Sequence, residues 1–154
     1  MKKSRVLNEL KAEFPSLSEN ESLARLLVSG FISQLNPMVD ELSDVKTAVS
    51  EAVTNCIVHA YRNTVGKVRM LVRIYDGSEV YIRITDTGCG IENLDKAMEP
   101  LFTSSPDEDR AGLGFTVMES FMDTLSVRST LGKGTTVTMR KKLRSRVQKD
   151  YNAG

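Results

Sequence analysis

Two runs of alternating apolar and polar residues, joined at Asp76-Gly77, restrict the fold of this chain more than any other feature. In the first run Val68, Met70, Val72 and Ile74 alternate with Arg69 and Arg73, with Leu71 out of step. In the second, Val80, Ile82 and Ile84 alternate with Tyr81 and Arg83. A period of two sends successive side chains to opposite faces of a strand, and Asp-Gly between such runs is a hairpin turn. The pair is therefore antiparallel, with one apolar face that a second layer must cover.

Helices on either side supply that cover. Ala24, Leu27, Val28, Phe31, Ile32 and Leu35 recur at helical spacing behind Ser18-Glu-Asn-Glu21, which reads as a capping box. That helix is expected to stop at Asn36-Pro37, because the residue before a proline avoids the α region. A second helix, from about Asp40 to Tyr61, buries Leu42, Val45, Val49, Ala52, Val53, Cys56 and Ile57 and turns Asp44, Thr47, Glu51 and Asn55 the other way. From Ile91 to Arg110 the pattern fades across Pro100, Pro106 and Asp107-Glu-Asp109, and a loop of that length is usually functional or mobile. A helix over about 113–122, a strand near 125–129, the turn Gly132-Lys-Gly134 and a strand over 135–141 complete the order. The expected fold class is α/β (α+β): a two-layer sandwich, helices on one face of a mixed, mostly antiparallel sheet, rather than a doubly wound sheet. Residues 16–143 are expected to form the domain, 1–15 a poorly specified arm and 144–154 a basic tail.

With 154 residues, one core can fold without staples. Lys+Arg 21 against Asp+Glu 20 leaves a net charge of +1, without the basic excess of a nucleic-acid binder. Cys56 and Cys89 stand far apart and suggest neither a disulfide framework nor a metal cluster; Cys56 reads as a small buried hydrophobe. No apolar run approaches the roughly 20 residues of a membrane span, and no apolar stretch follows Lys2-Lys3 as in a signal peptide. A cytoplasmic location is the expectation.

Three short motifs carry chemistry. Glu51 and Asn55, four apart on a helix, project from one face about 6 Å apart and offer the hard oxygen donors that Mg²⁺ accepts alongside phosphate and water. Asp86-Thr-Gly-Cys-Gly90 ends a strand; Asp86 there can accept from an exocyclic amine, and Gly88 and Gly90 allow the backbone close to a ligand. Arg110-Ala-Gly-Leu-Gly114 is read as opening a helix, where free N–H groups and a guanidinium favour phosphate. Each alone has an ordinary reading, as a solvated helix face, a strand-ending turn or a capping turn. The Walker loop and the Rossmann glycine pattern are both absent.

Together, in this order, the motifs resemble the GHKL superfamily of ATP-binding domains, which includes histidine kinases, Hsp90-type chaperones and MutL. Glu51-x3-Asn55 looks like its N box, Asp86-x-Gly88-x-Gly90 its G1 box and Gly112-Leu113-Gly114 its G2 box. Thr135 resembles the late threonine that helps hold adenine. His59, the only histidine, lies inside the N box and reads as a packed structural residue, which leaves a histidine kinase without its phosphoacceptor. The strings Asn20–Arg25, Phe31–Pro37, Glu51–His59, Glu99–Thr103 and Gly114–Asp123 are similar to the anti-sigma serine kinases of endospore-forming bacteria, over roughly residues 16–143.

That resemblance implies a homodimer that holds the sporulation sigma factor F inactive. It also implies Mg-ATP-dependent phosphorylation of a serine on an anti-anti-sigma factor. Glu51 would take or orient the serine proton, Asn55 hold Mg²⁺ and Arg110 offset charge on the γ-phosphate. Thr103–Arg110 would be an ATP lid, which reads Thr103-Ser104-Ser105-Pro106 where the family often carries a lysine near Ser105. Glu21 and Arg25, on the polar side of the first helix, correspond to the partner-binding surface. The rival readings are an ATP-dependent partner-switching module without kinase activity and a stress-response anti-sigma kinase.

Overall fold

The computed structural model of the chain describes residues 4–99 and 106–144, the side chains of 106–112 excepted. Among the described residues, five strands form one sheet in the order β1-β2-β3-β5-β4, every neighbouring pair antiparallel. They are β1 Val6–Pro15, β2 Lys67–Tyr75, β3 Glu79–Asp86, β4 Thr124–Thr130 and β5 Gly134–Lys142. Helices α1 Glu19–Ile32, α2 Val39–Asn55 and α4 Pro106–Phe121 make the second layer, with a short α3 Leu94–Ala97. The core lies between the layers, where Val28, Ile32, Val45, Val49, Val53 and Met118 are fully buried with Val68, Val72, Ile82 and Met139. The two-layer sandwich expected from the hairpin is the observed architecture.

At the centre of the sheet, Gly77 and Ser78 both take positive φ (78° and 59°), tightening the turn so that Tyr75 pairs with Glu79. Asp86, the last residue of β3, faces Val68 on one side and Thr135 on the other. This register delivers the first glycine loop and Thr135 to the same end of the sheet.

Residues 6–15, expected as an arm, instead form the edge strand β1. Only Phe14 is buried there, and the strand is tied to β2 by Glu9–Arg73 at 2.6 Å and Glu13–Arg69 at 3.0 Å. The capping box expected at Ser18 is absent as well: Ser18 is in the α region with no side-chain cap bond. Glu21 is drawn away from it toward α2. The first helix ends as expected before Pro37, where Asn36 takes a left-handed conformation (φ 55°).

Beyond Asn55 the second helix continues as a π turn over Cys56–Ala60, with the Tyr61 N–H donating to the Cys56 carbonyl at 3.2 Å. Ile91–Arg110 is not structureless throughout: α3 lies within it, and α4 begins at Pro106 rather than near Leu113. A proline at the first helical position is preorganised for a helix start, and acidic residues behind it suit the positive end of the dipole. At the other terminus Leu143 is buried and Arg144 is held by α2. Its guanidinium meets Asp40 at 2.6 Å, and its N–H donates to Glu41 at 2.7 Å. The described start of the expected tail is thus docked. No helix among the described residues is long and apolar enough to cross a membrane.

Candidate nucleotide site

Glu51 and Asn55 stand one turn apart on α2, both half-buried, where α4 crosses. A Cβ placed on Gly114 would lie 3.2 Å from Oε2 of Glu51 and 3.3 Å from both side-chain polar atoms of Asn55. Glycine is therefore the residue that lets α4 approach this pair. The structure brings the helix motif and the second glycine motif together, as expected, but corrects their local setting. Gly112-Leu-Gly114 lies inside α4, so its amides are not the free donors of a helix start. Leu113 is 57% exposed. Arg110 falls in the stretch of α4 whose side chains are not described, and Thr103, Ser104 and Ser105 lie outside the described residues.

Nδ2 of Asn55 is buried and has no hydrogen-bond partner among the described residues. A buried donor left unpaired is costly, and such a group in a native fold points to a ligand that completes it. Glu51 has its carboxyl pushed above the ordinary value, first by burial and then by the negative charge of Glu21.

At the sheet end, Asp86 is buried and fully engaged on one oxygen. Its Oδ1 accepts from the Gly88 N–H at 3.0 Å and the Thr135 N–H at 3.2 Å, while Oδ2 lies 3.5 Å from Sγ of Cys56. Burial pushes its carboxyl up, and the bonds from Gly88, Cys56 and Thr135 oppose that shift. Oδ2 still has acceptor capacity for an amine. Cys56 is buried as expected, but its single S–H also has two acceptors in reach, the Ala52 carbonyl at 3.4 Å and Oδ2 of Asp86 at 3.5 Å.

The first glycine loop rests on the π turn. The Cys89 N–H donates to the Ala60 carbonyl at 3.0 Å and its thiol to the His59 carbonyl at 3.3 Å. A Cβ on Gly88 would collide with that Ala60 carbonyl. Two supporting residues escaped the sequence reading. The Tyr61 hydroxyl accepts from the Thr87 N–H at 2.7 Å and donates to the Lys67 carbonyl at 2.6 Å, fixing the loop. Ser129 bonds Thr135 through their hydroxyls at 2.8 Å and accepts from the Ile91 N–H at 2.8 Å. Nothing in their local sequence marks either one, since both act through residues remote in the chain.

Between α1 and α2 a groove of about 400 Å³ runs up to Glu51, walled by Arg25, Val39, Leu42 and Lys46. Arg25 thus faces the same space as Glu51. Glu21 does not line it: its carboxylate accepts from Ser50 Oγ at 2.6 Å and Thr54 Oγ1 at 3.1 Å.

This sheet, with its helices, a glycine loop at the end of β3 and a glycine of α4 set against a carboxylate–amide pair on α2, defines a histidine kinase-like ATPase domain, and residues 14–141 match that family. An anti-sigma F factor of Clostridium botulinum is 58% identical over 136 residues, covering 88% of this chain and 94% of its relative. Another, of Caldanaerobacter subterraneus, is 53% identical over 134 residues, covering 87% and 93%. The chain belongs to the anti-sigma F factor family. The fold is shared with the RsbU and RsbW domains of Rv1364c from Mycobacterium tuberculosis (TM-score 0.67, 16% identity, 90% of this chain and 34% of that one). It is shared also with the catalytic domain of histidine kinase ThkA (TM-score 0.55, 17% identity, 87% and 96%).

Proposed function

We propose that this protein binds Mg-ATP and transfers its γ-phosphate to a serine of an anti-anti-sigma factor, and that it also sequesters the sporulation sigma factor F as a homodimer. One observation carries the kinase reading: Glu51 stands one turn from the Asn55 amide, buried without a partner among the described residues, and lines the groove between α1 and α2. A carboxylate at that position can take the proton of an incoming hydroxyl, a group that a pure nucleotide binder does not need.

In this reading Asp86 Oδ2 accepts from the exocyclic amine of adenine, with Thr135 and the Gly88 backbone fixing the carboxylate. The Asn55 side chain meets the phosphate end, its buried amide completed by a phosphate oxygen or its carbonyl turned to the metal. A single oxygen ligand from the protein fits Mg²⁺, which keeps water and phosphate as its other ligands. When bound, Mg²⁺ supplies charge neutralisation on the phosphates. The partner's serine Oγ attacks the γ-phosphorus as the bond to the bridging oxygen breaks and ADP leaves; Glu51 takes the serine proton. Burial and the Glu21 charge make Glu51 a better base than an ordinary glutamate. Arg110 is assigned to the γ-phosphate and Thr103–Arg110 to a lid on the resemblance alone. Arg25, in the groove, is assigned to partner recognition on the resemblance; Glu21, which the resemblance puts on the same surface, is turned toward α2.

The test is radiolabelled ATP incubated with this protein and the purified anti-anti-sigma factor, followed by mapping of the label. A phosphoserine on the partner is the expected result. Mg-ATP-dependent capture of sigma factor F with no label transferred would replace the kinase with a binding switch.

A further inference from the structure

Both oxygens of the Glu21 carboxylate are engaged by one turn of another helix. Its Oε1 accepts from Ser50 Oγ at 2.6 Å and its Oε2 from Thr54 Oγ1 at 3.1 Å. Ser50 and Thr54 are four apart and share a face of α2; Glu51 and Asn55 each follow them by one residue. One side chain of α1 therefore grips both ends of the turn that carries the two candidate functional groups.

That turn has reason to need an outside grip. Asn55 is the last residue of α2, and past it the backbone pairing slips to the wider π pattern. The Cys56 N–H is shared between the carbonyls of Ala52 and Val53, so the regular ladder already loosens there. A helix that changes register in this way does not by itself fix where its last side chains point. The 2.6 Å bond that Ser50 donates to this half-buried carboxylate is of the strong, charge-assisted kind, and the 3.1 Å bond from Thr54 is the weaker of the two.

We propose that Glu21 is a positioning residue for the reaction: by holding Ser50 and Thr54 it sets the orientation of Glu51 and Asn55 toward ATP and the acceptor serine. This rests on the kinase reading above for its catalytic consequence, but the clamp itself does not. Sequence resemblance places Glu21 on a partner surface. The geometry points instead to a group turned inward, acting through α2.

The test uses the full chain with Glu21→Ala and Glu21→Gln. Glutamine keeps a carbonyl acceptor and adds an amide donor that either hydroxyl can accept, so it preserves the bridge without the charge. Amide hydrogen exchange over residues 50–61 is read together with kcat and KM of transfer. For Glu21→Ala, exchange in that segment rises and kcat falls, each by at least ~10-fold, the scale of losing a charge-assisted bond. KM for the protein substrate stays within about 2-fold, and Glu21→Gln restores at least half of the protection and of kcat. Glu21→Ala with wild-type exchange, or with a raised KM and unchanged kcat, overturns the proposal. If Glu21→Ala does not fold, Ser50→Ala with Thr54→Val removes the same bridge from the other side and is judged by the same readouts. Should the wild-type protein transfer no phosphate, the kinase reading fails, while the exchange comparison still decides the clamp.

Discussion

Sγ of Cys56 lies 3.5 Å from Oδ2 of Asp86, so a buried thiol and the carboxylate of the first glycine loop form one unit. The other oxygen of Asp86 is taken by the N–H groups of Gly88 and Thr135. In the proposed nucleotide complex, the thiol would orient the oxygen left to accept from a purine amine. Cys56→Ala is expected to weaken ATP binding by about 2–5-fold, the scale of one modest hydrogen bond. Cys56→Ser, which keeps a donor, should bind closer to wild type. Titration calorimetry of both variants checks this; equal affinity across all three proteins removes the thiol from the site.

Asp86 also separates stability from binding. Its carboxyl is raised in the folded state by burial, so folding favours the protonated form. The stability it contributes is fully present below its unfolded-state pKa and is lost as pH rises through the higher folded value. At neutral pH the ionised, buried group therefore opposes folding. Asp86→Asn keeps an acceptor for the Gly88 and Thr135 amides while removing that charge. Its thermal midpoint at neutral pH should be no lower than wild type, whereas ATP affinity should fall by at least ~10-fold as a charge-assisted acceptor is lost. Thermal melts and calorimetry on one preparation read both.

Much of this arrangement was legible in the sequence because it is local. The Asp76-Gly77 hairpin, the helical stripes and the three motifs each depend on spacing within a few residues. What failed depends on distant partners. β1 buries little beyond Phe14, so its apolar pattern is faint, and it is held as an edge by ion pairs to Arg69 and Arg73 that no local window contains. Glu21 sits in a capping-box position, yet two hydroxyls on α2 outcompete the local cap. The glycines of Gly112-Leu-Gly114 suggested a helix start; at Gly114 the demand is instead close approach of α4 to α2, which a helix interior also meets.

Gly114→Ala tests that approach. The added methyl would stand 3.2 Å from Glu51 Oε2 and 3.3 Å from the Asn55 amide, so the pair must shift by a few tenths of an ångström. Alanine is the better helix former by about 1 kcal/mol, so α4 itself loses nothing. The expected outcome is an unchanged or raised thermal midpoint with Mg-ATP affinity reduced by roughly 10-fold, because misplaced polar groups no longer meet the phosphates. A variant that binds Mg-ATP normally would show that Asn55 does not face the phosphate.

The pH profile follows from Glu51. Burial first and the Glu21 charge second raise its carboxyl, and the half-buried groove beside it also holds Arg25 and Lys46. The base works only when ionised, so transfer should fall as pH is lowered through a window displaced above that of an ordinary glutamate. Removing the neighbouring charge with Glu21→Gln should move this fall to lower pH. A profile of kcat for both proteins checks the direction, and superimposable acid limbs would mean that another group limits the rate.

Glu51→Gln and Asn55→Ala divide the labour of the shared helix face. Glutamine at position 51 keeps the size and hydrogen bonding of the side chain but cannot take a proton. Nucleotide affinity should stay within about 2-fold while transfer falls by roughly 10²–10⁴-fold, the usual worth of a positioned base. Asn55→Ala removes the buried amide that lacks a partner among the described residues, so its loss leaves little native bonding to break. Stability should change little, whereas Mg-ATP binding weakens by at least ~10-fold and metal-free ATP binding by less. Calorimetry with and without Mg²⁺ separates the two effects. If Asn55→Ala loses affinity equally in both conditions, the residue serves phosphate directly and the metal role passes elsewhere.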